Sequence, residues 1–164
     1  MTNLSDNKKF MKLAIDKAKE GIKFGQSPFG ACIVRRGKVI SLNHNTVWKD
    51  ADIAAHAEIN AIRKACKKLN TIDLSNCVIY STCEPCPMCF SAIHWAKISK
   101  IVYGSKINDA KKTGFSELQI SNKLMKKLGK SKVKIIVAGV LFEESAELFR
   151  IWKKRKDRKD RKAY

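Results

Sequence analysis

His56 stands thirty residues ahead of Cys86 and thirty-three ahead of Cys89. An imidazole nitrogen and two thiolates are donors that zinc takes in a tetrahedron, and three protein ligands leave the fourth position open, as catalytic sites do. Water at such an open position has its pKa lowered to about 7, which supplies a nucleophile at neutral pH without a strong base nearby. Glu58, two residues after His56, starts on the same turn and is free to move protons. Together the four describe metal-assisted hydrolysis, with His56, Cys86 and Cys89 as ligands and Glu58 as acid and base.

Two blander readings of the cysteines stand beside this one. Cys83, Cys86 and Cys89 recur every third residue, so with His56 they can also make a closed structural site. A lone C-x-x-C is also a redox pair. Pro85 and Pro87 mark the start of a helix, since proline is tolerated at the first helical position and not inside. That puts Cys86 and Cys89 at i, i+3 on one face of a first turn, where the free N–H groups and the helix dipole favour thiolates. Cys83 then falls at the end of the preceding strand. A redox dithiol leaves the His-x-Glu without a task.

The elements that position these residues alternate between α and β. Phe10, Leu13, Ala14, Ala18 and Ile22 recur at helical spacing, with Ser5 or Asp6 as N-cap and Gly25 at the far end. Two apolar runs, 31–34 and 39–42, flank Arg35-Arg36-Gly37-Lys38, which reads as a hairpin. A second helix is expected over 55–68, a short buried strand over 78–81, and the cysteine helix from there through Ala96. Strands over 101–103 and 135–138 and a last helix over 143–154 follow. Five strands with helices between them predict a sheet covered on both faces. Both ligand segments open helices, so their positive ends can converge on one metal. Asn45 lies on the loop before His56. Its amide suits the edge of a purine or pyrimidine and equally suits a turn. Phe29 and Trp95 are core candidates, and Trp95, on the shoulder of the cysteine helix, can instead stack on a base.

At 164 residues the chain is expected to form one domain over 1–164, with 153–164 as a basic tail. No apolar run approaches a membrane span and the first residues lack a signal peptide, which predicts a cytoplasmic protein with no membrane partner. Cys32, Cys66 and Cys77 are expected to be reduced and buried. The net charge is +19, and 27 of the 34 basic residues are lysine. A basic surface of this kind serves solubility or contacts nucleic acid; because lysine meets phosphate as a point charge, the first is favoured and the second stays open.

Pro28-Phe29-Gly30, the Asn45 loop, H-A-E-I-N-A-I-R-K-A-C from His56, C-E-P-C-P-M-C from Cys83 and A-I-H-W-A from Ala92 together resemble the cytidine deaminase superfamily, whose zinc nucleobase deaminases carry H-x-E and P-C-x-x-C with the Glu as acid and base and not as ligand. Within it the chain looks like the bacterial guanine deaminases, on Trp95, where similar tRNA adenosine deaminases usually carry His, on Gly114-Phe115, and on the aromatic C-terminus at Tyr164. The resemblance implies a three-layer α/β/α sandwich around a central five-stranded mixed sheet. It also implies one zinc ion (Zn2+) per chain and a homodimer whose swapped C-terminal segment covers the partner's site. By position, Glu58 would shuttle the proton, Asn45 and Ala57 would contact the purine, Phe29 and Trp95 would pack on its ring, and Tyr164 would close the pocket. Guanine deaminases usually have Gly-Phe-Asp-Asp where this chain has Gly114-Phe115-Ser116-Glu117. Glu117 aligns with the Asp that helps protonate the departing amine, one methylene longer. The implied reaction is guanine to xanthine plus ammonia; the alternatives are a tRNA adenosine deaminase forming inosine, a deaminase of a related aminopurine or nucleoside, a pterin or a triazine, and a zinc-stabilised binding module.

Overall fold

The computed structural model describes residues 4–155. In chain order the elements are α1 (Leu4–Lys23), β1 (Gly30–Arg35), β2 (Lys38–His44), α2 (Val47–Asp50), α3 (Ala57–Leu69), β3 (Cys77–Cys83), α4 (Pro87–Trp95), β4 (Lys100–Ser105), α5 (Ile107–Lys112), α6 (Asn122–Leu128), β5 (Ile135–Val137) and α7 (Phe142–Lys153). The strands form one mixed sheet in the order β2-β1-β3-β4-β5. β1 runs antiparallel to both β2 and β3, whereas β3, β4 and β5 are mutually parallel. The predicted five-stranded α/β/α sandwich is therefore the fold: α1 and α7 pack against the sheet and each other, while α3 lies on β2 and β1 and also touches α4, which touches α6.

Local chemistry explains the main joints. The hairpin between β1 and β2 turns on Arg36 and Gly37, both at positive φ (48° and 73°), which is the two-residue reversal whose twist matches the flanking strands. Gly30 opens β1 hard against α1, and a Cβ there would collide with the Ala14 carbonyl. α1 already includes Leu4, so Ser5 and Asp6 lie inside the helix and neither caps it; the amphipathic repeat runs back past the capping residues. Three short helices, α2, α5 and α6, were not anticipated, being too brief for a periodic apolar face. The core is the aliphatic and aromatic filling between sheet and helices, including Met11, Ile15, Ile33, Ile79, Tyr80 and Ile101. Among the described residues, no helix is long and apolar enough to cross a membrane.

Candidate metal centre and its cavity

The parallel strands β3 and β4 end at one edge of the sheet, and ligands in open α/β sheets bind outside such carboxyl ends. There β3 finishes at Cys83 and the chain turns through Glu84 and Pro85 into α4. Cys86 is the residue just before that helix, in extended conformation, with Pro87 on the first turn. His56 holds the same place before α3. Both helices thus point their N-termini, with their unpaired N–H groups, at one location. His56 and Cys86 are therefore helix N-caps, one step outside the turns expected to contain them, and Cys89 lies one turn into α4.

Among the described residues, His56, Cys86 and Cys89 form the group able to hold a metal, with one ligand atom from each lying within 4.8 Å of the others. His56 Nδ1 is 3.7 Å from Cys86 Sγ and 3.6 Å from Cys89 Sγ. Zinc bonds of about 2.3 Å to sulfur and about 2.0–2.1 Å to nitrogen, at the tetrahedral angle, place nitrogen and sulfur about 3.6 Å apart. The donor set fits zinc in type and in spacing. Cys83 is not part of the group; it is buried, and its thiol donates to the Lys106 carbonyl at 3.5 Å.

Two carboxylates attend the ligands. Glu58 is buried on the first turn of α3, accepts a hydrogen bond at Oε1 from the Ser81 hydroxyl at 2.8 Å, and has Oε2 3.6 Å from Cys89 Sγ. Burial, helped by the Cys86 charge and opposed by His56, raises its pKa. Glu117 lines a cavity of about 260 Å³ together with Ile53, His56, Cys86, Pro87, Met88, Ser116 and Leu118. Burial first, and then the negative charge of Cys86, push Glu117 up to about 7. The Cys86 thiol is held down to about 4, chiefly by a hydrogen bond from Cys89 and then by His56. Cys89 is driven well above its ordinary range by the same bond to Cys86 and by burial. At His56, burial works downward, but Cys86, Glu58 and Glu117 outweigh it and hold the imidazole above its usual value. A buried carboxyl, Glu58, and a half-buried one, Glu117, beside a thiolate make an electron-rich recess that a divalent cation neutralises.

The loop that presents Glu117 is fastened on both sides. Phe115 is buried against Phe29, Phe149 and Trp152, with ring centroids 5.0, 6.3 and 4.8 Å away. Beyond it, the Asn122 backbone N–H donates to Glu84 Oε1 at 2.8 Å, and Asn122 Nδ2 donates to the Pro85 carbonyl at 2.6 Å. Phe29 thus belongs to the aromatic packing that anchors Phe115. Asn45 is fully buried, and its Oδ1 accepts from the Val47 N–H at 3.1 Å in a turn. The next residue, Thr46, bonds the Ala55 carbonyl at 2.9 Å, which ties this turn to the entry of α3. Ala57 opens α3 with its methyl buried, leaving a first-turn N–H as what it can offer. Trp95 is not brought to the ligands. It ends α4, 80% exposed, beside a separate cavity of about 500 Å³ bordered by His94, Lys97, Lys132 and Lys134. That larger cavity contains none of the metal-binding groups, so the chemistry is assigned to the smaller one. Tyr164 and the rest of the tail after Arg155 lie outside the described residues.

Ser81, Glu84 and Asn122 were missed by reading the sequence. Glu84 sits inside C-E-P-C, but its partners come from Asn122, thirty-eight residues on, and from Tyr103.

Residues 4–105 match the family described as the cytidine and deoxycytidylate deaminase zinc-binding region. The guanine deaminase of Bacillus subtilis (strain 168) is 45% identical over 109 residues, 66% of this chain and 70% of that one. A tRNA-specific adenosine deaminase of Aquifex aeolicus (strain VF5) is 43% identical over 96 residues, 58% of this chain and 64% of its own length. Among solved structures, the guanine deaminase from Nitrosomonas europaea superposes with a TM-score of 0.82 at 28% identity, covering 88% of this chain and 83% of the other.

Proposed function

Because the chain belongs to the zinc-binding cytidine and deoxycytidylate deaminase family, we propose that it hydrolytically removes the exocyclic amine of a free purine base, with guanine as substrate and xanthine and ammonia as products. The observation that carries this reading is the second carboxylate. Glu117 stands with His56 and Cys86 around a cavity of about 260 Å³, below the range of about 300–1,000 Å³ typical of sites for drug-sized ligands. A space of that size admits a single base, which is all that a free purine brings to it.

His56, Cys86 and Cys89 would hold the zinc. Bound there, the metal supplies Lewis acidity that makes water a nucleophile at neutral pH. Glu58 moves a proton from the attacking side to a ring nitrogen of the base, and its burial, by raising its pKa, suits a group that must both take and give. Glu117, which lines the cavity beside His56 and Cys86, is the carboxyl placed to deliver a proton to the departing amine. Asn45 and Ala57, both buried beside the entry of α3, would shape the polar side of the site from behind its lining, and Ile53, Met88 and Leu118, exposed around the cavity, would offer the base an apolar rim. The similarity to a guanine deaminase over 70% of that enzyme's length supports the choice of base.

The net charge of +19 and the comparable identity to a tRNA-specific adenosine deaminase favour a second reading, in which the base is an adenosine displayed by RNA. Incubation of zinc-replete protein with guanine should release ammonium and xanthine in equal amounts. Absence of turnover on guanine, with metal bound, overturns the proposal.

A further inference from the structure

Position 81 lies on β3, flanked by β1 on one side and β4 on the other, opposite Ala31 and Tyr103. By strand alternation its side chain shares a face with Ile79 and Cys83. A hydroxyl in such a place is costly unless it is bonded, and an alanine or valine would fill the space without that cost. The Ser81 hydroxyl is bonded, and its partner is Glu58 Oε1 at 2.8 Å. Both residues are buried. The last torsion of a glutamate is broad and two-fold, so the one bond that its own backbone N–H on α3 supplies does not by itself fix the carboxylate plane. Ser81 orients it, leaving Oε2 turned toward the ligand side, 3.6 Å from Cys89 Sγ.

We propose that Ser81 is the positioning residue for Glu58: by occupying Oε1 it dedicates Oε2 alone to both taking and delivering the proton. A single oxygen that serves both steps needs no rotation of the carboxyl group between them. The kinetic consequence rests on the deaminase reading above, whereas the geometric one does not.

Four measurements on zinc-replete protein test this. Ser81→Ala should keep its zinc and hold KM within about twofold, while kcat falls by about 10- to 100-fold, the scale on which displacing a reacting group acts. Ser81→Thr, which keeps the hydroxyl, should restore kcat to within a few-fold. In a Glu58→Gln background, Ser81→Ala should change kcat no further, as expected of groups acting as one unit. A crystal structure of Ser81→Ala should show the Glu58 carboxylate rotated or in two conformers. Wild-type kcat in Ser81→Ala, a full additional loss in the Glu58→Gln background, or a folded, zinc-loaded Ser81→Thr as slow as Ser81→Ala would overturn the proposal. Should the wild-type protein turn over no purine, the substrate assignment fails on its own. The crystal structure then decides for Ser81, with an unmoved, single Glu58 conformer overturning it.

Discussion

Asn122→Ala tests how the second carboxylate is held in place. The side chain makes one of two bonds that clip the start of α6 to the ligand loop, Nδ2 to the Pro85 carbonyl at 2.6 Å, while the backbone bond to Glu84 Oε1 survives the substitution. A buried carbonyl deprived of its donor costs about 1–3 kcal/mol. Asn122 Oδ1 is itself buried without a partner among the described residues, and deleting it returns part of that cost. A net loss of about 1–2 kcal/mol follows, which at a urea slope of about 2 kcal/mol/M lowers the unfolding midpoint by about 0.5–1 M. His56, Cys86 and Cys89 keep their places, so zinc content should be unchanged. Glu117, five residues before the clip, should be looser and kcat about tenfold lower, against roughly a hundredfold for a full ångström of misplacement. Urea denaturation followed by fluorescence, with zinc analysis and ammonium release on the same preparation, reads all three. An unchanged midpoint refutes the hydrogen-bond reasoning, and a lowered midpoint with wild-type kcat refutes the link to Glu117.

Glu58→Gln retains size and the bond from Ser81 but cannot exchange protons, so metal-loaded protein should lose deamination by about 10² to 10⁴; near-normal turnover removes Glu58 from the chemistry. Cys83→Ser should retain its zinc, because the Cys83 thiol faces the Lys106 carbonyl and not the ligand group; metal analysis finding none would restore the closed four-ligand site. Glu117→Gln should make zinc-stripped protein more stable at pH 8 by an amount on the order of 1–2 kcal/mol, allowing for its partial exposure. Glu117 is raised from 4.5 to about 7 in the fold. Its favourable contribution is therefore complete below pH 4.5 and lost as pH rises through 7. Urea midpoints for the two proteins should converge as pH falls across that window, and a gap that widens instead contradicts the assignment.

The ligand segments were legible because their chemistry is local. The His-x-Glu pair, the two prolines around Cys86 and the i, i+3 cysteines each announce a helix start within a few residues, and the alternation of apolar runs gives the order of strands and helices. What escaped is non-local. The Ser81 bond to Glu58 joins residues twenty-three apart, and it exists because the sheet sets Ser81 facing α3. Asn122 looks like an ordinary helix opener until the chain folds it onto Glu84. Phe29 and Trp95 are both aromatic residues near a motif, and nothing local distinguishes the one packed on Phe115 from the one left 80% exposed at the far end of α4. Asn45 was equally a turn former or a base contact by sequence, and its bond to the Val47 N–H accounts for the turn.

Deamination of a free purine by a zinc-loaded site in this chain is tested most directly by a side-by-side determination of kcat/KM. Ammonium release from guanine is measured against inosine formation in an RNA hairpin carrying a single-stranded adenosine, with the same zinc-replete preparation and salt concentration. Turnover of guanine to xanthine with at most trace inosine is expected. Efficient inosine formation with guanine left intact would contradict it.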